Sequence, residues 1–169
     1  MSVDALRAEF ASALADAQGE LIECDSWAEL LSHARAESEP AEPLLSPDAA
    51  ALAGGSRTPD PQDAVADAAD QPVGIAVAQL GIAATGSVLL VEPEPAARMV
   101  SLLTHHLFVA LQPDRILPDV ADGFAWLADQ PRAAAYATFV TGPSRTADIE
   151  RSLTIGVQGP RRLTVALLP

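Results

Sequence analysis

Arg145 stands between two hydroxyl residues, Ser144 and Thr146, and two carboxylates, Asp148 and Glu150, follow closely. Arginine offers a rigid fork of donors that matches a carboxylate or a phosphate. Ahead of it, Thr141, Gly142 and Pro143 close an apolar run, Ala135 to Val140, that reads as a buried strand. Behind it, Ile149, Leu153 and Ile155 fit one face of a helix. The expected local structure is therefore strand, turn, helix, with Ser144 or Thr146 as the helix cap. Such a turn leaves unpaired backbone N–H groups at the positive end of a helix dipole, an arrangement that holds small anions. Thr141, Gly142, Ser144, Arg145 and Thr146 are thus the candidate anion-binding residues. The same residues also describe an ordinary capped turn in which Arg145 pairs with Asp148 or Glu150.

Other groups carry weaker chemistry. Asp148, directly behind the arginine loop, is the candidate proton-transfer group, although the dipole alone explains carboxylates in a first helical turn. Ser144 lies outside any Gly-x-Ser-x-Gly elbow, so nothing marks it as a nucleophile. Thr85-Gly86-Ser87 is a turn whose glycine permits close approach of backbone to a ligand or to another segment. His105 and His106 are neighbours on a strand and point to opposite faces, so they do not share an ion. With no cysteine or third histidine at ligand spacing, no metal is expected. The reading for the pair is one solvated histidine and one hydrogen-bonded at a sheet edge. Arg161 and Arg162 offer a second anion contact or simply a solvated surface.

The elements that must position these groups follow from pattern. Residues 2–18 have Leu6, Phe10, Leu14 and Ala17 at helical spacing, with Ser2 to cap and Gly19 to end the helix. Leu21 to Cys24 reads as a short strand, and Trp27 to Ala36 as a second helix capped by Asp25 or Ser26. Residues 37–71 are rich in proline and acid and contain only short pieces: a strand at Leu44-Leu45, a helix from Pro47 to Leu52, and a weak turn between Asp63 and Asp70. From residue 72 strands and helices alternate. Strands are expected at Val73–Gln79, Val88–Val91, Leu107–Leu111 and Leu163–Leu168. Helices are expected at Ala96–Leu103, with Met99, Leu102 and Leu103 inward, and at Val120–Asp129, capped by Asp119, with Val120, Phe124 and Leu127 on one face. This alternation predicts a layered α/β domain with a mainly parallel sheet. Parallel sheets of this kind take ligands beyond the carboxyl ends of their strands, where the turn at 141–146 is expected.

Composition narrows the function classes. The chain has 169 residues, a size suited to one domain with a core, and that core must be aliphatic because aromatics make up only 4%. The basic residues are all arginine, which rules out a lysine Schiff base or a P-loop lysine. The net charge is −13, and almost all of it lies in residues 1–72, which hold 15 acids against three arginines. Such a chain repels nucleic acid and anionic membrane. The single cysteine, Cys24, makes no internal disulfide and cannot ligate an iron–sulfur cluster by itself. With no signal peptide and no apolar run long enough to span a bilayer, a cytoplasmic location is expected, and no cofactor is implied.

Two segments together carry a family resemblance. Thr141 to Glu150, TGPSRTADIE, and Gly81 to Leu90, GIAATGSVLL, resemble the signatures of the LUD-domain, LutC-type family of lactate-utilisation proteins. Gly156 to Leu168 is similar to that family's closing strand. The resemblance covers residues 73–169 well and residues 1–72 poorly, where this chain looks abbreviated. Ala84 stands where many relatives carry a glutamate, so no role of that carboxylate transfers here. The resemblance implies a three-layer α/β/α fold of the type shared by ribose-phosphate isomerase, glucosamine-phosphate deaminase and the CoA transferases. It also implies an accessory role beside iron–sulfur partner proteins in oxidising L-lactate to pyruvate. Thr85, Gly86 and Ser87 join the candidate site through it. Two other readings stay open: a standalone enzyme acting on a phosphorylated, nucleotide or CoA-like substrate, and a shortened copy that only binds a protein.

Overall fold

The computed structural model describes residues 1–55, 57–130, 136–147, 153–155 and 159–169. Helix α1 (Val3–Asp16) starts at Ser2, whose hydroxyl accepts from the Ala5 N–H, and buries Phe10 and Leu14. It ends at Asp16, three residues before the expected glycine. Gln18 takes the left-handed conformation (φ 66°), and the Gly19 N–H closes on the Leu14 carbonyl at 2.9 Å. Strand β1 (Glu20–Glu23) leads to α2 (Trp27–Ser38), capped by Ser26, which buries Leu30, Leu31 and Ala34. The proline-rich segment contains β2 (Leu44–Leu45), α3 (Pro47–Ala53, capped by Ser46) and α4 (Ala64–Ala68).

The second part holds β3 (Val73–Val77), β4 (Leu80–Ile82), a 3₁₀ turn at Ala83–Thr85, β5 (Ser87–Val91), α5 (Pro95–Leu103) and β6 (His106–Leu111). A second 3₁₀ turn at Pro113–Arg115 then leads to β7 (Ile116–Leu117) and α6 (Val120–Ala128). The last elements are β8 (Ala137–Val140), β9 (Arg145–Ala147), β10 (Leu153–Ile155) and β11 (Arg162–Leu167).

Five strands form one wholly parallel sheet in the order β1-β11-β6-β3-β2. Its central strand, β6, is buried at all six positions, as expected for a parallel sheet covered on both faces. On one face, Ile75, Phe108, Ala110 and Ala166 pack against Leu30, Leu31 and Ala34 of α2 and Ala49 of α3. On the other, Ala76, Leu107, Val109, Leu163 and Val165 meet Phe10 and Leu14 of α1 together with Val88 and Leu90 of a second sheet. Helix α5 lies against the β2–β3 side of the parallel sheet, and a Cβ on Gly74 would collide with Thr104 and Val100. The result is a three-layer α/β/α architecture in which one layer is part helix and part sheet.

That second sheet, β7-β4-β5-β8, was not expected. Its β4–β5 and β5–β8 pairs are antiparallel. The alternation of strands and helices did not reveal it because β4 is only three residues long and joins β5 through a tight turn. Two helix faces also differ from expectation. Helix α5 buries Ala96, Ala97, Val100 and Ser101 and packs Met99 and Leu103 inward as expected, but leaves Leu102 exposed. Helix α6 approaches the sheet through Gly123, and Phe124 is 57% exposed. The small residues mark the contact faces because the helices lie too close for larger ones.

Candidate functional site

The two signature segments meet, but not as a helix-end anion site. Arg145–Ala147 is strand β9, paired antiparallel with Leu153–Ile155 of β10, so Arg145 lies opposite Ile155 in a hairpin. The helix expected across Leu153 and Ile155 is therefore a strand. The stretch is too short and too rich in β-branched residues for pattern alone to choose helix over strand. Asp148, Ile149 and Glu150 lie outside the described residues. Strand β8, expected to be buried, is exposed or only partly buried at all four positions. It pairs with β5 of the second sheet, so the turn after Val140 does not lie at a carboxyl end of the parallel sheet.

A chain of hydroxyls and an unusual backbone contact bring the segments together. Thr85 Oγ1 lies 2.7 Å from Ser87 Oγ, and Ser87 Oγ lies 2.6 Å from Thr141 Oγ1. Gly86 and Gly142 both have left-handed backbones, with φ of 62° and 67°. Both press on the last turn of α1. A Cβ on Gly86 would sit 2.2 Å from the Leu14 nitrogen, and one on Gly142 would sit 2.0 Å from the Ala17 carbonyl oxygen. Thr85, Gly86, Ser87, Thr141 and Gly142 thus form a seam that locks α1 to the second sheet. Ser144 is tied by its N–H to the Pro160 carbonyl at 2.8 Å. Arg145 extends from the hairpin, exposed, and forms no ion pair with a described residue. Thr146 shares its strand. Ala84 is exposed in the 3₁₀ turn beside the seam.

A cleft of about 580 Å³ lies instead beyond the carboxyl ends of the parallel strands. Its apolar surfaces come from Trp27, Val77, Ala78, Ala110, Leu111, Leu168, Ala51 and Leu52, and its polar groups from Gln79, Gln112, Arg115 and Asp48. Its size and its mix of apolar wall with a few polar groups are those of small-molecule sites. These residues form no motif in the sequence. The available signal was positional: Gln79 and Gln112 each close an apolar strand at its carboxyl end.

The opposite end of the sheet holds a buried polar cluster. His106 Nε2 and Thr164 Oγ1 are 2.8 Å apart, and Thr164 donates to Glu20 Oε2 at 3.1 Å. The Thr164 oxygen therefore accepts from His106, which places the imidazole proton on Nε2. His106 Nδ1 is left buried without a hydrogen-bond partner among the described residues, 3.9 Å from Glu37 Oε2. Arg162 bridges Glu37 at 2.8 Å and Glu20 at 3.4 Å. Burial, reinforced by the Arg162 charge, lowers the His106 pKa to about 4 against the pull of Glu37 and Glu20. His106 is thus on the central strand rather than at an edge, while His105 is partly exposed, 3.3 Å from Asp70. Arg162 belongs to this cluster and is no free anion contact. Among the described residues no group of three metal-ligating side chains comes together.

Glu92 was also not anticipated. It is buried just after β5, where Ser101 donates to its Oε2 at 2.8 Å and its Oε1 has no partner among the described residues. Burial raises its pKa to about 7, helped by Asp48 and opposed by the Ser101 hydrogen bond and Arg98.

The five-stranded parallel sheet, the helical cover and the appended mixed sheet define a layered α/β protein with its open cleft at the strand carboxyl ends. Residues 58–168 match the LUD domain, and the chain belongs to that family. It is 32% identical over 101 residues to a lactate utilization protein C of Geobacillus thermodenitrificans, covering 57% of this chain and 42% of that one. It is 35% identical over 101 residues, with the same shares covered, to lactate utilization protein C 1 of Bacillus mycoides. It is 32% identical over 100 residues to the Escherichia coli protein YkgG, covering 57% of this chain and 43% of that one. The matched region spans about two-fifths of the length of these relatives. In structure the chain resembles a DUF162 family protein from Deinococcus radiodurans, with a TM-score of 0.66, 17% identity, and 100% and 99% of the two chains covered. No helix among the described residues is long and apolar enough to cross a membrane.

Proposed function

We propose that this chain is a LutC-type protein of lactate utilisation. In this reading it is an accessory subunit that works beside iron–sulfur proteins in the oxidation of L-lactate to pyruvate. The observation that carries it is the identity to relatives named lactate utilization protein C, together with a family match that spans both signature segments. Cys24 is the sole cysteine, so this chain supplies no thiolate set for a cluster, and electrons pass through the partners. The exposed Arg145, next to Ser144 and Thr146 and beyond Thr141 and Gly142, offers a cation to a small anion or to a partner's carboxylate. The seam of Thr85, Gly86, Ser87 and Thr141 fixes the base from which that hairpin projects.

The test is capture of the iron–sulfur lactate-utilisation subunits by this chain, with Arg145→Ala alongside. The expected result is co-purification with the wild type and a weaker yield with the variant. Failure to recover any subunit, under conditions where another LutC-type chain recovers them, overturns the reading. Thermal unfolding with lactate, pyruvate and phosphate tests the anion contact. A ligand at about 100 times its dissociation constant adds roughly 2.7 kcal/mol, a shift of several degrees, which Arg145→Ala should abolish.

A further inference from the structure

Arg115 lines the carboxyl-end cleft and forms no ion pair with a described residue. The chain is strongly acidic, and most of its described arginines are engaged. Arg7 pairs with Glu23, Arg35 with Glu42, and Arg162 with Glu20 and Glu37. Arg57 donates to the Glu42 carbonyl and Gln71, and Arg98 to the Glu92 and Pro93 carbonyls. Arg115, Arg145 and Arg161 form no ion pair with a described residue, and of these only Arg115 lines this cleft.

Its backbone position is fixed. The 3₁₀ turn Pro113–Arg115 is closed by the Arg115 N–H on the Gln112 carbonyl at 3.0 Å, and β7 behind it is pinned to β4. The other residues that line the cleft are of a different kind. The Trp27 indole is a flat apolar wall, and Val77, Ala78, Leu111 and Leu168 add aliphatic surface. Gln79 and Gln112 each provide an amide donor and acceptor, and Asp48 provides an acceptor only.

We infer that this cleft binds a ring-bearing organic anion that also carries hydroxyl groups, a class to which the nucleoside monophosphates belong. The ring lies against Trp27 and the aliphatic surface, the anionic group pairs with Arg115, and the hydroxyls donate to Asp48. Asp48 repels a second anionic group and so gives the ligand a polarity. The two amides read the ring edge. This site is separate from the Arg145 hairpin, and the inference does not depend on the lactate reading.

The probe is AMP, titrated into the full chain by NMR. The Trp27 and Trp126 indole N–H signals are distinguished by the Trp126→Phe variant. A saturable shift of the Trp27 signal is expected, weakened about tenfold or more in Arg115→Ala, as loss of a charge-assisted contact implies, and unchanged in Arg145→Ala. Adenosine should bind more weakly than AMP and equally to wild type and Arg115→Ala, and inorganic phosphate should leave the Trp27 signal in place. Absence of a saturable Trp27 shift with AMP overturns the inference. So does equal affinity for AMP in Arg115→Ala, provided that variant keeps the wild-type unfolding midpoint. If Arg115→Ala fails to fold, Arg115→Gln replaces it, with the same tenfold loss expected and equal affinity again overturning.

Discussion

Ser87 Oγ and Thr141 Oγ1 lie 2.6 Å apart although 54 residues separate them in the chain. This contact joins the two signature segments, and Thr85 extends it on the other side of Ser87. Ser87 is buried and Thr141 exposed, so the two are not equivalent. Ser87→Ala should cost about 1 kcal/mol, and Thr141→Val less, because Thr85 still satisfies the buried hydroxyl. A double-mutant cycle by urea unfolding should show a coupling on the order of 0.5–1 kcal/mol. Strict additivity would mean that the hydroxyl chain contributes nothing to the seam.

The glycines of the seam should be far more sensitive than its hydroxyls. Gly86→Ala and Gly142→Ala each place a Cβ against backbone atoms of α1, at 2.2 and 2.0 Å, on a left-handed backbone. Backbone cannot rotate away as a side chain can, so each should cost on the order of 3–5 kcal/mol. Gly54 supplies the control. It has φ 66° but nothing within 4 Å of its Cβ position, so Gly54→Ala should cost only about 1 kcal/mol. Equal losses at the three sites, measured by thermal unfolding, would show that the contact with α1 is irrelevant.

Helix α6 gives a second contrast between pattern and packing. Phe124 is largely exposed and touches Phe139 at a ring separation of 5.3 Å. Gly123 is the buried position, and a Cβ there would lie 3.0 Å from Ile82 Cδ1 and 3.2 Å from Phe139 Cζ. Phe124→Ser should therefore cost about 1 kcal/mol rather than the roughly 3–5 kcal/mol of a core phenylalanine. Gly123→Leu, which a small shift of Ile82 or Phe139 does not accommodate, should cost more than Phe124→Ser. Chemical-denaturation midpoints rank the two directly, and a larger loss at Phe124 would reverse the assignment of the contact face.

The inner strands of the parallel sheet were legible because Leu107–Leu111 is wholly apolar and Leu163–Leu168 is apolar but for Thr164. Leu107–Leu111 and Leu163–Leu168 are buried on both faces, and burial on both faces writes itself into composition. Helix starts were legible from Ser2, Ser26 and Asp119, each of which accepts a backbone N–H in the folded chain. In the second sheet β5 and β8 were legible as strands, but β4, β7 and the hairpin at Arg145 were not, because strands of two or three residues carry too few positions to separate a period of 2 from one of 3.6. The signature residues stand out as a set, but their placement against α1 depends on contacts up to 125 residues distant in sequence, such as Gly142 with Ala17. The cleft residues come from several separate elements and share no spacing. Glu92 and His106 are unusual only because of what surrounds them, and no local pattern records that.

Those two buried groups should give the chain opposing pH dependences. Desolvation, aided by Arg162, holds His106 neutral in the fold down to about 4, whereas an unfolded histidine takes a proton near 6.5. Between these values the unfolded state binds a proton that the folded state refuses, so stability falls as pH falls, by up to roughly 3 kcal/mol. Glu92 runs the other way. Burial raises it to about 7 from an ordinary 4.5, so its contribution is fully present below about 4.5 and is lost as pH rises through about 7. Across pH 4.5–6.5 the two largely cancel. Glu92→Gln keeps an acceptor for Ser101 and removes the titration, which should leave the His106 dependence exposed: relative to wild type, the variant gains stability at pH 8 and loses that gain on acidification. His106→Gln should show the reverse slope. Urea midpoints measured from pH 4.5 to 8 decide the matter, and a Glu92→Gln profile parallel to the wild type would show that Glu92 is already ionised in the fold.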